Sequence, residues 1–296
     1  MEWIKKTSMI ASMLLVSGVM VHTVTDKNDP EKVTAKGRHF PTEIDFAGEK
    51  APLQLSDVRE RLDRELLVNA NLDASTLLII KRANRAFPII EPILKRNGIP
   101  DDFKYLAVIE SGLVNVVSPA GARGVWQFMP DTGKERGLEI NDVVDERYHL
   151  AKSTEAACKY LKSAYAKFGS WTLAAASYNG GFGGVNKQIT FQGVNSYYDL
   201  LLTDETARYV FRILALKEIM QHPTLYNFTV QPAELYPLIP VKNVPVTASI
   251  PDLAVFAKEQ GINYKILKIH NPWMRDRKLD VAVGKSYIVE IPVSGY

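Results

Sequence analysis

The chain has 296 residues, of which 46% are apolar and 23% are charged, a composition typical of a globular protein. Its net charge of +3 is small, its basic residues are scattered, and it has no zinc-knuckle or glycine-rich phosphate motif, so we expect no nucleic-acid partner. The single cysteine, Cys158, excludes an intrachain disulfide. It lies in an apolar helical pattern, which favours a buried structural thiol over a nucleophile.

The N-terminal segment has the pattern of an export signal. Lys5 and Lys6 precede an apolar run over residues 9–24, which is short for a membrane-spanning helix of about 20 residues. No cysteine follows the run, which argues against a lipoprotein-type anchor. We therefore predict a signal peptide or N-terminal membrane anchor over residues 1–24. This predicts an exported protein of the periplasm or cell envelope, either released or anchored to a membrane.

The next part of the chain changes from charged to helical. Residues 25–52 carry many charges and few apolar side chains, which predicts a flexible tether. Helical periodicity begins near Ser56 and recurs through the following segments, with no convincing strand pattern between them. Pro88 and Pro92 fall inside one helical segment and are expected to bend or break it. We predict one all-α domain over residues 53–225.

The character of the chain changes again at residue 226, where prolines and β-branched residues recur. We expect residues 226–243 to form a linker. Residues 244–296 then show a strand-like, a helical, a second helical and a strand-like pattern, which predicts a small βααβ module. The predicted fold class is therefore mainly α, with an all-α domain followed by a small α+β module.

Glu110 is an isolated acid, because the twenty residues after it contain no Asp, Glu, His or Cys. Phe103, Leu106 and Ala107 precede it at helical spacing, so Glu110 shares their apolar face. Burial against apolar groups raises the pKa of a carboxyl, and a Glu that is protonated near neutral pH is a general acid. The alternative is a helix-end Glu that reaches solvent or pairs with an arginine such as Arg123.

The segment after Glu110 combines a turn-rich loop with aromatic residues. The loop "SPAGARG" begins at Ser118, and "VWQFMP" places Trp126 and Phe128 on either side of Gln127. Aromatic faces beside a single amide suit a groove for sugars, which present apolar faces and hydroxyl edges. For Trp126 and Phe128 themselves, a place in the hydrophobic core is the favoured interpretation.

Three quoted segments carry a family resemblance. "IESGLVNVVSPAGARGVWQFMP", "KSTEAACKYLKSAYAKFGSWTLAAASYNGG" and "DETARYVFRILA" occur in the order found in soluble-lytic-transglycosylase domains. The resemblance covers roughly residues 85–220 and implies a lysozyme-like fold with Glu110 as the catalytic acid and then base. It also implies substrate contacts by Ser111, Ser118, Gln127, Met129, Tyr178, Asn179 and Tyr209. Tyr178 is further expected to be a hydrogen-bond partner of Glu110.

The chemistry of this family explains why one acid suffices. Most glycosidases use two carboxylates, whereas a lytic transglycosylase closes the substrate's own hydroxyl onto the anomeric carbon and leaves a 1,6-anhydro sugar. The resemblance therefore implies a peptidoglycan lyase that needs no cofactor and no metal, and we expect it to act as a monomer on glycan strands. Two alternatives stay open: a hydrolytic muramidase of the goose-lysozyme type, and a catalytically silent cell-wall-binding protein.

The C-terminal residues resemble a second family. "SIPDLAVFAKEQGINYKILKIHNPWMRDRKLDVAVGKSYIVEIP" is similar to a LysM module, a small βααβ glycan-binding unit. Its first strand, "VPVTAS", lacks the usual opening motif, so glycan binding and a purely structural cap both stay open. His270 and Trp273 are single residues that predict no metal site.

Overall fold

The computed structural model describes residues 39–296 of the chain. The leader predicted over residues 1–24 lies outside the described residues, as does the first half of the predicted tether. In the part that the structure describes, every helix is either too short or too polar to cross a membrane.

The amphipathic segments after residue 53 form a helical domain. Its helices are α1 (Ser56–Asn71), α2 (Asp73–Arg96), α3 (Phe103–Ser111), α4 (Pro130–Glu135), α5 (Leu150–Phe168), α6 (Trp171–Gln192) and α7 (Asp204–Gln221). Helix α1 begins at the predicted Ser56, and α2 continues through Pro88 and Pro92 without a break. Between α1 and α7 the described backbone pairs only in isolated bridges, so the predicted mainly α class is confirmed.

Helix α7 forms the centre of this domain. Its apolar residues, among them Val210, Phe211 and Leu214, are fully buried where α7 packs against α1, α3 and α6. Helix α3 lies against α2 and α7 and buries Phe103 and Leu106 completely. The C-terminal end of α3, which carries Glu110, therefore packs against the buried core of the helical domain.

Residues 39–52 pack onto the helical core, so the predicted tether is wrong for this part. Strands β1 (Asp45–Phe46) and β2 (Glu49–Lys50) pair as an antiparallel hairpin. Phe46 is fully buried, with its ring centroid 4.9 Å from that of Phe103. A few apolar anchors in a charged segment are sufficient for packing, although the average composition of the segment resembles that of a disordered tether.

The hairpin also caps a helix of the domain. The Glu49 carboxylate accepts hydrogen bonds from the Thr172 backbone N–H at 3.0 Å and from the Ser170 hydroxyl at 2.8 Å. These groups lie at the N-terminus of α6, where backbone N–H groups lack helical partners and negative charge is stabilising. Glu49 therefore joins the N-terminal hairpin to the helix that carries Tyr178 and Asn179.

The C-terminal residues form the predicted βααβ module. It consists of β3 (Val241–Val246), α8 (Leu253–Glu259), α9 (Tyr264–His270) and β4 (Tyr287–Pro292). The two strands are antiparallel, with Val241 opposite Pro292 and Val246 opposite Tyr287. Strand β3 begins inside the predicted linker, because the β-branched residues there pair with β4.

The rest of the predicted linker contacts the helical domain. The Tyr236 backbone N–H donates to the Lys81 carbonyl at 3.1 Å, and the Asn84 side chain donates to the Tyr236 carbonyl at 3.1 Å. The Arg85 guanidinium lies 5.4 Å from the Tyr236 ring centroid. These contacts attach residues around Tyr236 to α2.

The module packs against residues 139–149 of the helical domain, and residues 39–296 form one compact unit. Val144 is buried in the module's own apolar core. The backbone N–H of Asp145 donates to the Trp273 carbonyl at 2.8 Å, and that of Arg275 donates to the Val143 carbonyl at 2.7 Å. The module is therefore held by backbone pairing as well as by apolar packing.

A polar contact adds to this interface. The Glu139 carboxylate accepts a hydrogen bond from the Tyr287 hydroxyl at 3.0 Å and pairs with Lys285 at 2.6 Å. Tyr287 in turn stacks on the buried Trp273, with ring centroids 5.4 Å apart. The interface thus joins β4 to the loop before α5.

Candidate functional site

Glu110 lies in the last turn of α3, and the chain turns away immediately after it. Gly112 and Leu113 both have positive φ, 59° and 61°, and the Gly112 backbone N–H closes the helix on the Val108 carbonyl at 2.8 Å. Only glycine adopts this conformation without strain, so the buried Leu113 must be held there by its packing. The turn leaves Glu110 at the end of a helix rather than inside one.

The Glu110 carboxyl has an unusual environment. It is half-buried and accepts a hydrogen bond from the hydroxyl of Tyr209, which is 2% exposed on α7. Burial raises the pKa of Glu110 to about 7, against the lowering effects of the Tyr209 hydrogen bond and the Arg212 charge. Glu205, an exposed acid one turn before Tyr209, raises it further. Glu110 is therefore placed to exchange a proton near neutral pH.

Neither predicted partner of Glu110 is its partner in the structure. The Tyr178 hydroxyl donates to the Trp126 carbonyl at 2.8 Å, so the expected hydrogen bond to Glu110 is wrong. Arg123 lies 3.5 Å from Asp145 and does not pair with Glu110. Burial raises the pKa of the Tyr178 phenol, and the Glu110 charge raises it further. Of the two tyrosines, Tyr209 makes the hydrogen bond to the Glu110 carboxyl.

Replacing Tyr209 with phenylalanine is expected to raise the pKa of Glu110 above its value of about 7. The phenol donates to the ionised carboxylate, so its removal disfavours the charged form. The measurement is an NMR titration of the Glu110 carboxyl carbon.

Glu205→Gln is the matched control for this titration, because it removes a neighbouring negative charge and should lower the pKa of Glu110. Shifts in opposite directions support the assigned environment. Equal shifts, or none, would show that other groups determine the titration.

The glycine-punctuated loop after α3 is held by its own polar groups. The Ser118 hydroxyl accepts the Ala122 backbone N–H at 3.0 Å. The Gln127 amide donates to the carbonyls of Gly124 at 2.7 Å and Val116 at 3.1 Å. Gln127 itself has a positive φ of 49°, which places it among the few strained non-glycine residues of the described chain. Two residues predicted to bind substrate thus also hold the loop.

A buried ion pair supports this loop from behind. The Arg147 guanidinium binds Asp145 through two nitrogens, at 2.9 and 2.7 Å, and both side chains are at most 3% exposed. It also donates to the carbonyls of Gly121 at 3.3 Å and Phe128 at 3.2 Å. Because Asp145 is bonded through its backbone to Trp273, the pair links the loop to the C-terminal module.

Gly124 lets the loop approach this support closely. Its φ is +83°, and a Cβ atom at this position would lie 1.9 Å from the Arg147 carbonyl oxygen. No side chain fits at that distance. The glycine is therefore required by the contact between two backbones as well as by its conformation.

The remaining predicted residues are distributed around a cavity. Gln127, Met129, Tyr178 and Asn179 line a cavity of about 290 Å³. The Asn179 side-chain oxygen accepts a hydrogen bond from the Thr206 hydroxyl at 2.7 Å, which fixes the orientation of its amide. Ser111, Ser118 and Tyr209 do not line the cavity. The Ser111 hydroxyl donates to the Ala107 carbonyl and accepts from the Leu113 N–H at the end of α3. Its local role is to hold the turn after Glu110.

The core assignments made from sequence agree with the structure. Trp126 is fully buried and donates from its indole nitrogen to Thr154 at 2.8 Å, and Phe128 is 3% exposed. Cys158 is fully buried, and burial raises the pKa of its thiol to about 12, as expected of an unreactive thiol.

Sequence reasoning missed three residues near the site. Arg212 acts on Glu110 by its charge, and Arg136 and Phe182 line the cavity. The motif that contains Tyr209 also contains Arg212, one helical turn later, so helical spacing could have indicated it. Within residues 39–296, no cluster of His, Cys, Asp and Glu has the arrangement of a metal site.

Two family models match parts of the described chain. Residues 87–200 match the transglycosylase SLT domain, and residues 242–295 match the soluble lytic transglycosylase C-terminal LysM-like domain. Glu110 and the lining residues of the cavity fall inside the first match, whereas Tyr209 follows it.

The chain is also similar to individual curated proteins. The chain is 27% identical over 256 residues to membrane-bound lytic murein transglycosylase D of Escherichia coli K12, which covers 82% of this chain and 54% of that protein. The protein of that name from Escherichia coli O6:H1 gives the same values. A putative tributyltin chloride resistance protein of Alteromonas sp. M-1 is 31% identical over 104 residues, 34% of this chain and 50% of that protein. The chain spans about half the length of the curated relatives it matches.

Proposed function

Because the chain carries a transglycosylase SLT domain and a C-terminal LysM-like domain, we propose that it is a peptidoglycan lytic transglycosylase with Glu110 as its acid and base. The observation that carries the proposal is the half-buried Glu110 carboxyl, hydrogen-bonded by Tyr209 and with a pKa of about 7. A carboxyl in this state can donate a proton and later accept one at the same pH.

In the first step, protonated Glu110 gives its proton to the oxygen that bridges N-acetylmuramic acid and N-acetylglucosamine. The bond from this oxygen to the muramic C1 breaks, and the departing sugar leaves with a hydroxyl group. Positive charge that develops at C1 is stabilised by the carbonyl oxygen of the substrate's own N-acetyl group. Glu110 is now ionised, a state that the Tyr209 hydrogen bond and the Arg212 charge both favour.

In the second step, ionised Glu110 accepts the proton of the muramic C6 hydroxyl while the C6 oxygen bonds to C1. The product is a 1,6-anhydro sugar, and Glu110 returns to its protonated form without consuming water. The nucleophile is part of the substrate, so its effective concentration is high and no second carboxylate is needed to activate it. Glu205, whose negative charge raises the pKa of Glu110, is exposed at the start of α7.

The residues around the cavity are proposed to hold the glycan. Gln127 and Asn179 supply amide groups for the N-acetyl groups and ring hydroxyls, while Met129 and Tyr178 supply apolar surface. Ser118, in the loop after α3 and outside the cavity lining, is proposed to add a hydroxyl group. The Thr206 hydrogen bond to the Asn179 oxygen leaves the amide N–H₂ of Asn179 as a donor to substrate. Ser111 is proposed to act indirectly, through the turn after α3.

The test is mass spectrometry of the fragments that the purified protein releases from peptidoglycan. Anhydro-ended fragments support a lytic transglycosylase. Reducing ends formed by water would assign a muramidase on the same fold, and binding without release would assign a cell-wall-binding protein.

The pH dependence of anhydro-product formation is expected to follow Glu110. The first step needs the protonated carboxyl, and burial has raised its pKa to about 7. The rate should therefore fall about tenfold per pH unit above that value, as measured by chromatography of anhydro products across the pH range. A rate that rises through this range would contradict the role of Glu110 as the acid.

The location and assembly of the protein are proposed from the sequence and its relatives. Export to the cell envelope would follow from the apolar segment over residues 9–24, as signal peptide or membrane anchor. The proposed division makes residues 226–240 the connection between a catalytic domain and a LysM-like module that begins with β3 at Val241. We propose that the protein acts as a monomer on glycan strands.

A further inference from the structure

A short segment of the helical domain contacts both the loop after α3 and the C-terminal module. We call residues 114–129 the site loop and residues 143–149 the bridging segment. The contact with the loop is close, since a Cβ atom on Gly124 would lie 1.9 Å from the Arg147 carbonyl oxygen. The Tyr148 carbonyl next to it accepts a hydrogen bond at 3.2 Å from an asparagine of the site loop. The bridging segment therefore packs directly against the backbone of the site loop.

The bridging segment also carries the module. The Asp145 backbone N–H donates to the Trp273 carbonyl at 2.8 Å, and the His149 ring stacks on the Trp273 ring with centroids 6.3 Å apart. The Arg275 guanidinium lies 4.2 Å from the Tyr148 ring centroid. The same few residues are thus packed against the site loop and against the module.

Asp145 connects these two contacts through its charge. Its carboxylate is 2% exposed, pairs with the Arg147 guanidinium at 2.7 Å and lies 3.5 Å from that of Arg123, a residue of the site loop. Arg147 extends the network to the loop by donating to the carbonyls of Gly121 at 3.3 Å and Phe128 at 3.2 Å. Separating a buried charge from its partners is costly, so a displacement of Asp145 should move both arginines with it.

The two anchored carbonyls flank, in sequence, the part of the site loop that reaches the cavity. Gly121 precedes and Phe128 follows Gln127, and Gln127 and Met129 line the cavity and are proposed to hold the glycan. The Gln127 amide is bonded to loop carbonyls, so it moves with the loop backbone. Small displacements of groups that orient a substrate lower reaction rates strongly. The network around Asp145 should therefore affect the reaction rate.

We propose that the C-terminal module positions the site loop for the reaction, and that Asp145 and Arg147 are the positioning residues that connect the two. The inference rests on the proposed function, because the position of the loop affects a rate only if glycan is cleaved at the site. It assigns the module a part in catalysis that does not require the module to bind glycan. Loosening the module from the bridging segment should slow the reaction while the acid itself is unchanged.

The first test truncates one side chain of the bridging segment. Val144 is 1% exposed in the apolar cluster of the module, so Val144→Ala leaves a gap between the segment and the module. It is expected to lower kcat/KM for anhydro-product release about tenfold. Val289→Ala is the matched control, because Val289 is equally buried in the same cluster but lies on β4. The control should lower the free energy of unfolding by a similar amount and kcat/KM by less than about twofold.

Amide NMR spectra of the folded variants provide a readout that a loss of stability would not move. The amide signals of the site loop should shift in Val144→Ala and should keep their wild-type positions in Val289→Ala. The two variants are compared with the wild type under conditions in which denaturant unfolding shows all three to be folded.

The second test addresses the ion pair. In Arg147→Lys the positive charge opposite Asp145 is kept, but an ammonium group lacks the planar fork that reaches the carboxylate and two carbonyls together. We expect kcat/KM to fall about tenfold, with the pH dependence of the rate unchanged. Arg96→Lys is the control, because Arg96 pairs with Glu155 at the surface, and it should leave the rate unchanged.

With an active wild type, the inference requires both the rate loss and the signal shift to be selective for Val144→Ala. Equal rate losses in Val144→Ala and Val289→Ala would mean that the module only stabilises the fold, and either selective effect without the other would also overturn the inference. An unchanged rate in Arg147→Lys would exclude Arg147 as a positioning residue. If the wild type releases no product, the proposed function fails separately, and the amide signals alone decide whether the module holds the site loop.

Discussion

Replacing Glu110 with glutamine is expected to lower the rate of anhydro-product formation by at least about a thousandfold, since this one group is proposed to supply both the acid and the base. Glutamine keeps nearly the same shape but neither donates nor accepts the proton. The measurement is the rate of product release from peptidoglycan, with binding to the same material as control. Retained binding with lost release supports the assignment, and retained release would exclude Glu110 as the acid.

The same substitution should stabilise the fold at alkaline pH. Burial raises the pKa of Glu110 from 4.5 to about 7, so the protonated form stabilises the folded state below the lower value and this contribution is lost as pH rises through the higher one. The difference is up to about 3 kcal/mol, reduced by the part of the side chain that reaches solvent. Denaturant unfolding at about pH 5 and about pH 8 measures it. A Glu110→Gln variant whose stability relative to the wild type is the same at both values would contradict the raised pKa.

Gly124→Ala is expected to destabilise the protein by about 3 kcal/mol or more and to lower activity. The new Cβ would lie 1.9 Å from the Arg147 carbonyl oxygen, so one of two backbones must move. Movement of the loop displaces Gln127, whose amide is bonded to the Gly124 carbonyl, and small displacements at a site lower rates strongly. Thermal unfolding and product release measure the two effects.

Gly121→Ala separates conformation from contact in this loop. Gly121 has a similar φ of +89°, but a Cβ there would meet nothing within 4 Å. It should cost only the left-handed strain of about 1–2 kcal/mol. Similar losses from the two alanines would show that backbone strain alone, rather than the approach to Arg147, explains the requirement for glycine.

Sequence periodicity predicted the helical domain because its segments are long and amphipathic. The βααβ module was predicted from the order of its short strand-like and helical patterns, with an error at β3, whose pairing partner lies more than forty residues away. The N-terminal hairpin was missed because Phe46 and Glu49 act through contacts with Phe103 and Thr172, and no local pattern reports contacts so distant in sequence.

At the candidate site, the isolation of Glu110 indicated the acid, and the structure gives it the raised pKa that its apolar helix face predicts. Its hydrogen-bond partner could not be derived in this way, because Tyr178 and Tyr209 approach from different helices and only packing decides which hydroxyl reaches the carboxyl. Arg136 was missed for a related reason, since only tertiary packing brings it to the same cavity as Tyr178 and Phe182, which lie on a different helix.

The burial of Val144 in the module's core shows that the family match and the packed module have different boundaries. The family match begins at residue 242, yet the apolar cluster around Trp273 includes Val144, which lies in a loop well before residue 242. A fragment cut at the family boundary would lack this residue and would also lose the backbone partners of Trp273 and Arg275. The loop that carries Val144 therefore belongs to the packing of the module, and a module exchanged between two such proteins would need its cognate loop.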